Sequence, residues 1–184
     1  MHRALLCVAR SLEASGYKLP QHGNPDRGDG QAGDPTQHHR PRQVAGGPER
    51  QLTEDSRDHI QPAWSPDGAR IAFVRGATAT GKLEPDEVDG YYFEGAELWS
   101  MELGSGEASK LLDDGFNPSY SPDGQRLAFD AGLAGAQRVW VADTRGRNPR
   151  QVTSDSSEAV VHTEPHWSPD GSRLVFRRIE KLKS

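Results

Sequence analysis

Three times the chain writes the same corner: WSPDG at residues 64–68, YSPDG at 120–124 and WSPDG at 167–171, each running into an apolar triplet. A unit that cannot bury its own apolar face is built repeatedly, so internal repetition points to a modular architecture. The corner aspartates lie 56 residues apart (Asp67 to Asp123) and 47 apart (Asp123 to Asp170). Both spacings suit propeller blades or helical arrays. The letters choose the strands. Ile71 and Phe73, Leu127 and Phe129, and Leu174 and Phe176 alternate with Ala72, Ala128 and Val175. Apolar residues on both faces predict strands covered on both sides. Only 33% of the chain is hydrophobic, and its 20 glycines and 13 prolines suit a turn-rich β protein better than a helical one.

The corner has a local physical reading. Pro66, Pro122 and Pro169 preset φ, the aspartates tolerate the bridge conformation, and Gly68, Gly124 and Gly171 accept positive φ. This predicts a type I turn with a glycine bulge closing a β-hairpin. By itself such a corner performs no chemistry. Downstream, residues 96–112 and 137–153 each read strand, Gly-containing turn, strand, and residues 44–53 read as the tail of such a pair.

The pattern P-x-[WY]-S-P-D-G-x-R-[IL]-[AV]-F, followed by an [LV]-W strand and an R-Q-[LV]-T strand, resembles TolB-like (WD40-like) β-propeller repeats over residues 44–178. The fold expectation is therefore all-β: a partial β-propeller of four-stranded antiparallel blades. Blade one would hold strands ending at Trp64, then at 69–74, 97–103 and 109–112. Blade two would hold 117–121, 125–130, 138–143 and 150–153. Blade three would begin with 165–168 and 173–178, and 50–53 would be the last strand of a preceding blade. Such propellers resemble closed rings of more blades than this, so the resemblance implies a truncated piece of a longer one. Open blade faces would then invite self-association.

Residues 1–43 read differently. Between Pro20 and Gln43 the only aliphatic or aromatic residue is Ala32, too little apolar area to offset backbone ordering. The expectation is a disordered or non-native segment over 1–43 and the propeller fragment over 44–184. A helix over residues 3–14 is marginal without a partner surface. The apolar run of residues 4–9 is shorter than a signal-peptide core and is closed by Arg10. No stretch is long enough to span a bilayer as a helix. With one cysteine, Cys7, an internal disulfide is excluded. A net charge of −5 gives no reason to expect nucleic acid as a partner.

In an antiparallel meander the corners crowd one end of the blades and the more variable loops the other, where function more often sits. The extra nine residues of the first repeat fall in the connection between its second and third strands. That connection carries Glu84, Asp86, Glu87, Asp89, Tyr91 and Tyr92. Loops between blades would add Asp55, Asp58 and His59, then Asp113 and Asp114, then Asp155, Glu158, His162 and Glu164. An acidic, aromatic end of this kind suits a protein partner with basic surface, although loop carboxylates are also ordinary solvated surface. Metal ligation through Asp55, Asp58, His59, His162 and Glu164 lacks both a D-x-D-x-D-G calcium loop and paired zinc spacings. No cofactor is expected. The repeated Arg70, Arg126 and Arg173 are read as structural, holding either the corner aspartate or a neighbouring blade. Trp64, Tyr120 and Trp167, with Phe73, Phe129 and Phe176, are read as core.

No G-x-S-x-G elbow is present, and no Walker or dinucleotide glycine pattern follows a strand into a helix. The expected function is a non-enzymatic, protein-binding scaffold. The resemblance implies a periplasmic or other extracytoplasmic setting of the Tol–Pal envelope type. The same repeats also resemble the propeller lid of prolyl-oligopeptidase-like serine peptidases, without the catalytic domain, and sensor propellers fused to kinases or transcriptional regulators.

Overall fold

A computed structural model describes residues 7–9, 49–77 and 95–180. The chain divides into two units, Cys7–Arg50 and Gln51–Ser184 with Met1–Leu6. Strand β1 (Cys7–Ala9) pairs with β2 (Glu49–Gln51) in a two-stranded sheet. Cys7–Ala9 is thus extended and not helical; the remainder of the segment expected to be disordered lies outside the described residues.

The larger unit is built of blades. Blade one is an antiparallel sheet of β3 (His59–Trp64), β4 (Arg70–Gly76), β5 (Ala96–Glu102) and β6 (Ala108–Leu112), adjacent in chain order. Blade two repeats it with β7 (Phe116–Tyr120), β8 (Arg126–Ala131), β9 (Arg138–Asp143) and β10 (Arg150–Gln151). β11 (Val160–Trp167) and β12 (Leu174–Glu180) form a third sheet of two strands. All-β architecture and the four-stranded meander are as the repeats predict.

Each corner is a hairpin of the expected kind. Gly68, Gly124 and Gly171 have φ of 69°, 68° and 69°, and their amides donate to the carbonyls of Ser65, Ser121 and Ser168 at 2.8–2.9 Å. The side chains add a network that turn propensity alone does not reveal. Ser65 Oγ accepts the Arg70 amide at 2.9 Å and donates to Asp67 Oδ1, which also accepts the Ala69 amide at 3.0 Å. Ser121–Asp123 and Ser168–Asp170 repeat it. Donation by the serine hydroxyl holds all three carboxyls below their ordinary range, Asp170 at about 2.

The middle strands are buried on both faces: Ile71, Ala72, Phe73 and Val74 are at most 1% exposed, as are Leu127, Ala128 and Phe129. Ala72, Val74 and Leu98 of blade one pack with Phe116, Leu127 and Phe129 of blade two in one core cluster. Each fully buried large side chain contributes roughly 1.5–3 kcal/mol. The third sheet departs from this pattern. Val175 and Phe176 are 67% and 38% exposed, because among the described residues β12 has a partner on one edge only.

The first strand of every blade is bulged. Register shifts between Ile60 and Ala63, Phe116 and Ser119, and Thr163 and His166. The residues before the strand prolines, Gln61, Asn117 and Glu164, take φ of 53°, 49° and 55°. Left-handed backbone costs a non-glycine residue about 1 kcal/mol or more. Here the neighbouring blade holds it in place. The Asn117 amide donates to Gln61 Oε1 at 2.8 Å, and the Glu164 amide to Asp130 Oδ1 at 3.0 Å.

Candidate functional site

At the end opposite the corners, residues 77–95 join β4 to β5, whereas only 132–137 join β8 to β9. Glu84, Asp86, Glu87, Asp89, Tyr91 and Tyr92 lie outside the described residues. The roots of the long connection are fixed. The Ala77 amide donates to Gly95 O at 2.6 Å. Arg75 donates from Nε and Nη2 to Asp55 Oδ2 at 3.0 and 2.6 Å, stands 3.8 Å from Glu97 and lies 4.6 Å over the Trp99 ring. Lys110 bridges Glu97 at 3.3 Å and Asp113 at 2.6 Å.

Several of the loop carboxylates named from sequence are therefore held by internal partners. Asp155 accepts the Ser157 amide at 2.9 Å and pairs with Arg178 at 3.3 Å. Asp114 accepts the Gly132 amide at 2.8 Å, and burial pushes its carboxyl up. Glu164 faces Arg177 at 3.8 Å. Asp58 is half-buried, with its carbonyl accepting the Gly76 amide at 2.9 Å. Glu158 is exposed.

His59 and His162 sit on strands and are each 4% exposed. Their rings pack 5.6 Å from Phe73 and 5.2 Å from Phe176, and burial lowers both imidazole pKa values. Each acts as an internal spacer beneath the loop end. Among the described residues no group of three or more His, Cys, Asp or Glu is placed to hold a metal ion.

The same position in two blades forms a depression. In blade one it holds about 230 Å³ between Leu52, Thr53, His59 and Phe73, closed by Trp99 and Met101 of β5. In blade three it opens to about 880 Å³ between Val152, Thr153, His162 and Phe176. The difference is the strand that carries Trp99 and Met101, which has no counterpart beside β12 among the described residues.

One buried charge was missed from sequence. Asp130, 1% exposed, accepts Asn117 Nδ2 and the Glu164 amide on Oδ1 and Gln137 Nε2 on Oδ2, at 2.9, 3.0 and 2.9 Å. Burial outweighs these donors and raises its pKa to about 6. An aspartate where blade one has Val74 was the only sequence signal.

No protein-family model matches the sequence. The Tol-Pal system protein TolB of Anaeromyxobacter dehalogenans is 31% identical over 125 residues, covering 66% of this chain and 24% of the relative. A TolB-type protein of known structure from Agrobacterium tumefaciens superposes with a TM-score of 0.59 at 25% identity, over 73% of this chain and 43% of that one. These are TolB-like β-propeller blades. An uncharacterised peptidase of Bacillus subtilis, YuxL, is also 31% identical, over 62% of this chain and 16% of its own length. The chain thus spans about a quarter of the TolB relative and less of the peptidase.

Within these TolB-like blades the repeated arginine has a definite partner. Arg126 Nη2 lies 3.9 Å from Asp123 but donates to Gly171 O at 3.2 Å and stacks 4.5 Å over Trp167 of the next blade. Arg70 likewise sits 5.8 Å from the Tyr120 ring. Of the two structural roles read from sequence, the neighbouring blade is the principal one. It also corrects the expectation for Trp64. Tyr120 is 7% exposed beneath Arg70, whereas Trp64 is 51% exposed, because no preceding blade supplies an arginine over it among the described residues.

Proposed function

We propose that this chain is a non-enzymatic TolB-like propeller segment, residues 44–184, whose loop end binds a protein partner. The observation that carries the reading is the clamp of Asp55, Arg75, Glu97 and Lys110 at the roots of the long connection. The clamp anchors both ends of a connection whose sequence is rich in carboxylates and carries Tyr91 and Tyr92, a composition suited to a basic protein surface. Its similarity to a Tol-Pal system protein supports an envelope, extracytoplasmic role of that type. Among the described residues no helix is long and apolar enough to cross a membrane.

The test is binding of the purified chain to immobilised Tol-Pal system proteins, compared with the Tyr91→Ala/Tyr92→Ala variant. The expected result is capture by the parent chain and a loss of about tenfold or more in the variant. Equal capture by both would refute the loop assignment; no capture by either would refute the Tol-Pal role. The likeness to YuxL favours a second reading, the propeller portion of a peptidase. A G-x-S-x-G hydrolase segment encoded downstream in the same frame would select it.

A further inference from the structure

The hairpin of residues 132–137 joins β8 to β9 and is held at its two ends by different carboxylates. At the first end the Gly132 amide donates to Asp114 Oδ2 at 2.8 Å. At the last, Gln137 donates from Nε2 to Asp130 Oδ2 at 2.9 Å. Asp130 Oδ1 is taken by Asn117 Nδ2 and by the Glu164 amide of blade three, and Asn117 Nδ2 also lies 3.1 Å from Thr163 Oγ1. Gln137 is 5% exposed. Its Nε2 is spent on Asp130, and its Oε1 accepts no hydrogen bond among the described residues. A Cβ built on Gly132 would lie 3.1 Å from Gly135 O, 3.5 Å from Asp114 Oδ2 and 3.7 Å from Gln137 Oε1. Three acceptor oxygens thus crowd one side of Gly132.

This arrangement suits an ionised Asp130 and not a neutral one. A protonated carboxyl carries an O–H that needs an acceptor, whereas an amide NH2 can only donate. Two N–H donors already occupy Oδ1, so the proton belongs on Oδ2, where it meets Gln137 Nε2. Turning the carboxamide end for end removes the conflict. Oε1 then accepts the Asp130 proton, and Nε2 faces Gly135 O and Asp114 Oδ2, which are acceptors. Burial, which raises the Asp130 pKa to about 6, brings the exchange within reach of mild acid.

The charged groups on the elements around Asp130 are engaged elsewhere. Asp114, ahead of β7, accepts the Gly132 amide, and burial pushes its carboxyl up. Arg138 on β9 donates to the carbonyls of Gln137, Val160, Asp155 and Ser157. On β11, His162 packs against Phe176 and Glu164 faces Arg177 of β12 at 3.8 Å.

We propose that Gln137 is a proton-operated switch. With Asp130 ionised, its carboxamide ties the hairpin to the junction of blades two and three. With Asp130 protonated, it turns over and ties the hairpin to itself, at Gly135 O and Asp114. One proton passes from solvent to Asp130 Oδ2, and only hydrogen bonds are exchanged besides. The hairpin lies at the loop end, and the switch does not depend on what that end binds.

Heteronuclear NMR on the full chain from pH 4 to pH 8 tests this, with Gln137→Met identifying the side-chain amide signals by their loss. The Asp130 carboxyl carbon titrates with a midpoint of about 6, and the Gln137 amide signals move with the same midpoint. Asp130→Asn fixes the turned state, because its own NH2 must donate to Gln137 Oε1. Its Gln137 signals therefore stay at the parent's acid position at every pH. Asp114→Asn keeps the response, since Gly135 O still accepts. Gln137 signals that stay still while Asp130 titrates overturn the switch, as does an Asp130→Asn spectrum that matches the parent's at pH 8. A response that vanishes in Asp114→Asn assigns the titration to Asp114 and overturns it too. An Asp130 carboxyl that remains ionised down to pH 4 overturns its first step.

Discussion

Replacing Asp130 with asparagine isolates the energetics of the junction between blades two and three. The carboxyl is 1% exposed and its pKa is raised to about 6 from an ordinary 3.8. An acid whose folded pKa lies above its unfolded one binds more protons in the native state between those values. Stability therefore rises as pH falls through that window, opposite in sign to ordinary acid denaturation. A shift of about two units corresponds to roughly 3 kcal/mol. Asparagine has no charge to desolvate. Its carbonyl can take the Asn117 and Glu164 donors, and its amide can face Gln137 once that side chain turns over. Urea unfolding of both proteins from pH 4 to pH 8 is the assay, and the difference between them cancels the other titrating groups. The asparagine variant should gain roughly 3 kcal/mol relative to the parent between pH 4 and pH 8. A difference that stays flat across this range would refute the desolvation argument. Asp130→Ala, which orphans three donors, should be destabilised by about 3 kcal/mol or more at pH 4, a deficit that shrinks by roughly 3 kcal/mol towards pH 8 as the parent's own buried carboxyl ionises.

Two further substitutions probe the contacts between blades. Arg126→Ala loses the stack on Trp167 and the bond to Gly171 O, costing about 1–2 kcal/mol and lowering Tm by about 2–8 °C; Arg126→Glu should lower it further, and an unchanged Tm in both would sink the structural role. Gly146→Ala should destabilise by about 2–4 kcal/mol, since φ is 75° and a Cβ would meet Leu111 O at 2.6 Å. Gly106→Ala is its control: φ is 76° but nothing lies within 4 Å, so chemical denaturation should show only about 1 kcal/mol lost. Equal losses at the two glycines would mean that the contact with Leu111 is not made.

The strands and corners were legible because their causes are local. Pro66, Asp67 and Gly68 set a turn among themselves, and the alternation of Ile71, Ala72 and Phe73 needs only neighbours two residues apart. The serine that locks each corner lies two residues before its aspartate, and was legible in principle. Which arginine covers which ring was not. Arg126 and Trp167 belong to different blades, and only docking of the blades brings them to 4.5 Å. The same holds for the loop end. Asp55 and Asp155 read as free surface charges until the arginines two residues beyond Phe73 and Phe176 are seen to fold back onto them. His59 and His162 read as loop residues until the strands bury them. Sequence alone determined the repeating hairpin, because short-range dihedral preference and side-chain alternation suffice for it. Tertiary structure alone decided which polar groups are spent inside the fold, because burial and pairing depend on surfaces brought together from distant parts of the chain.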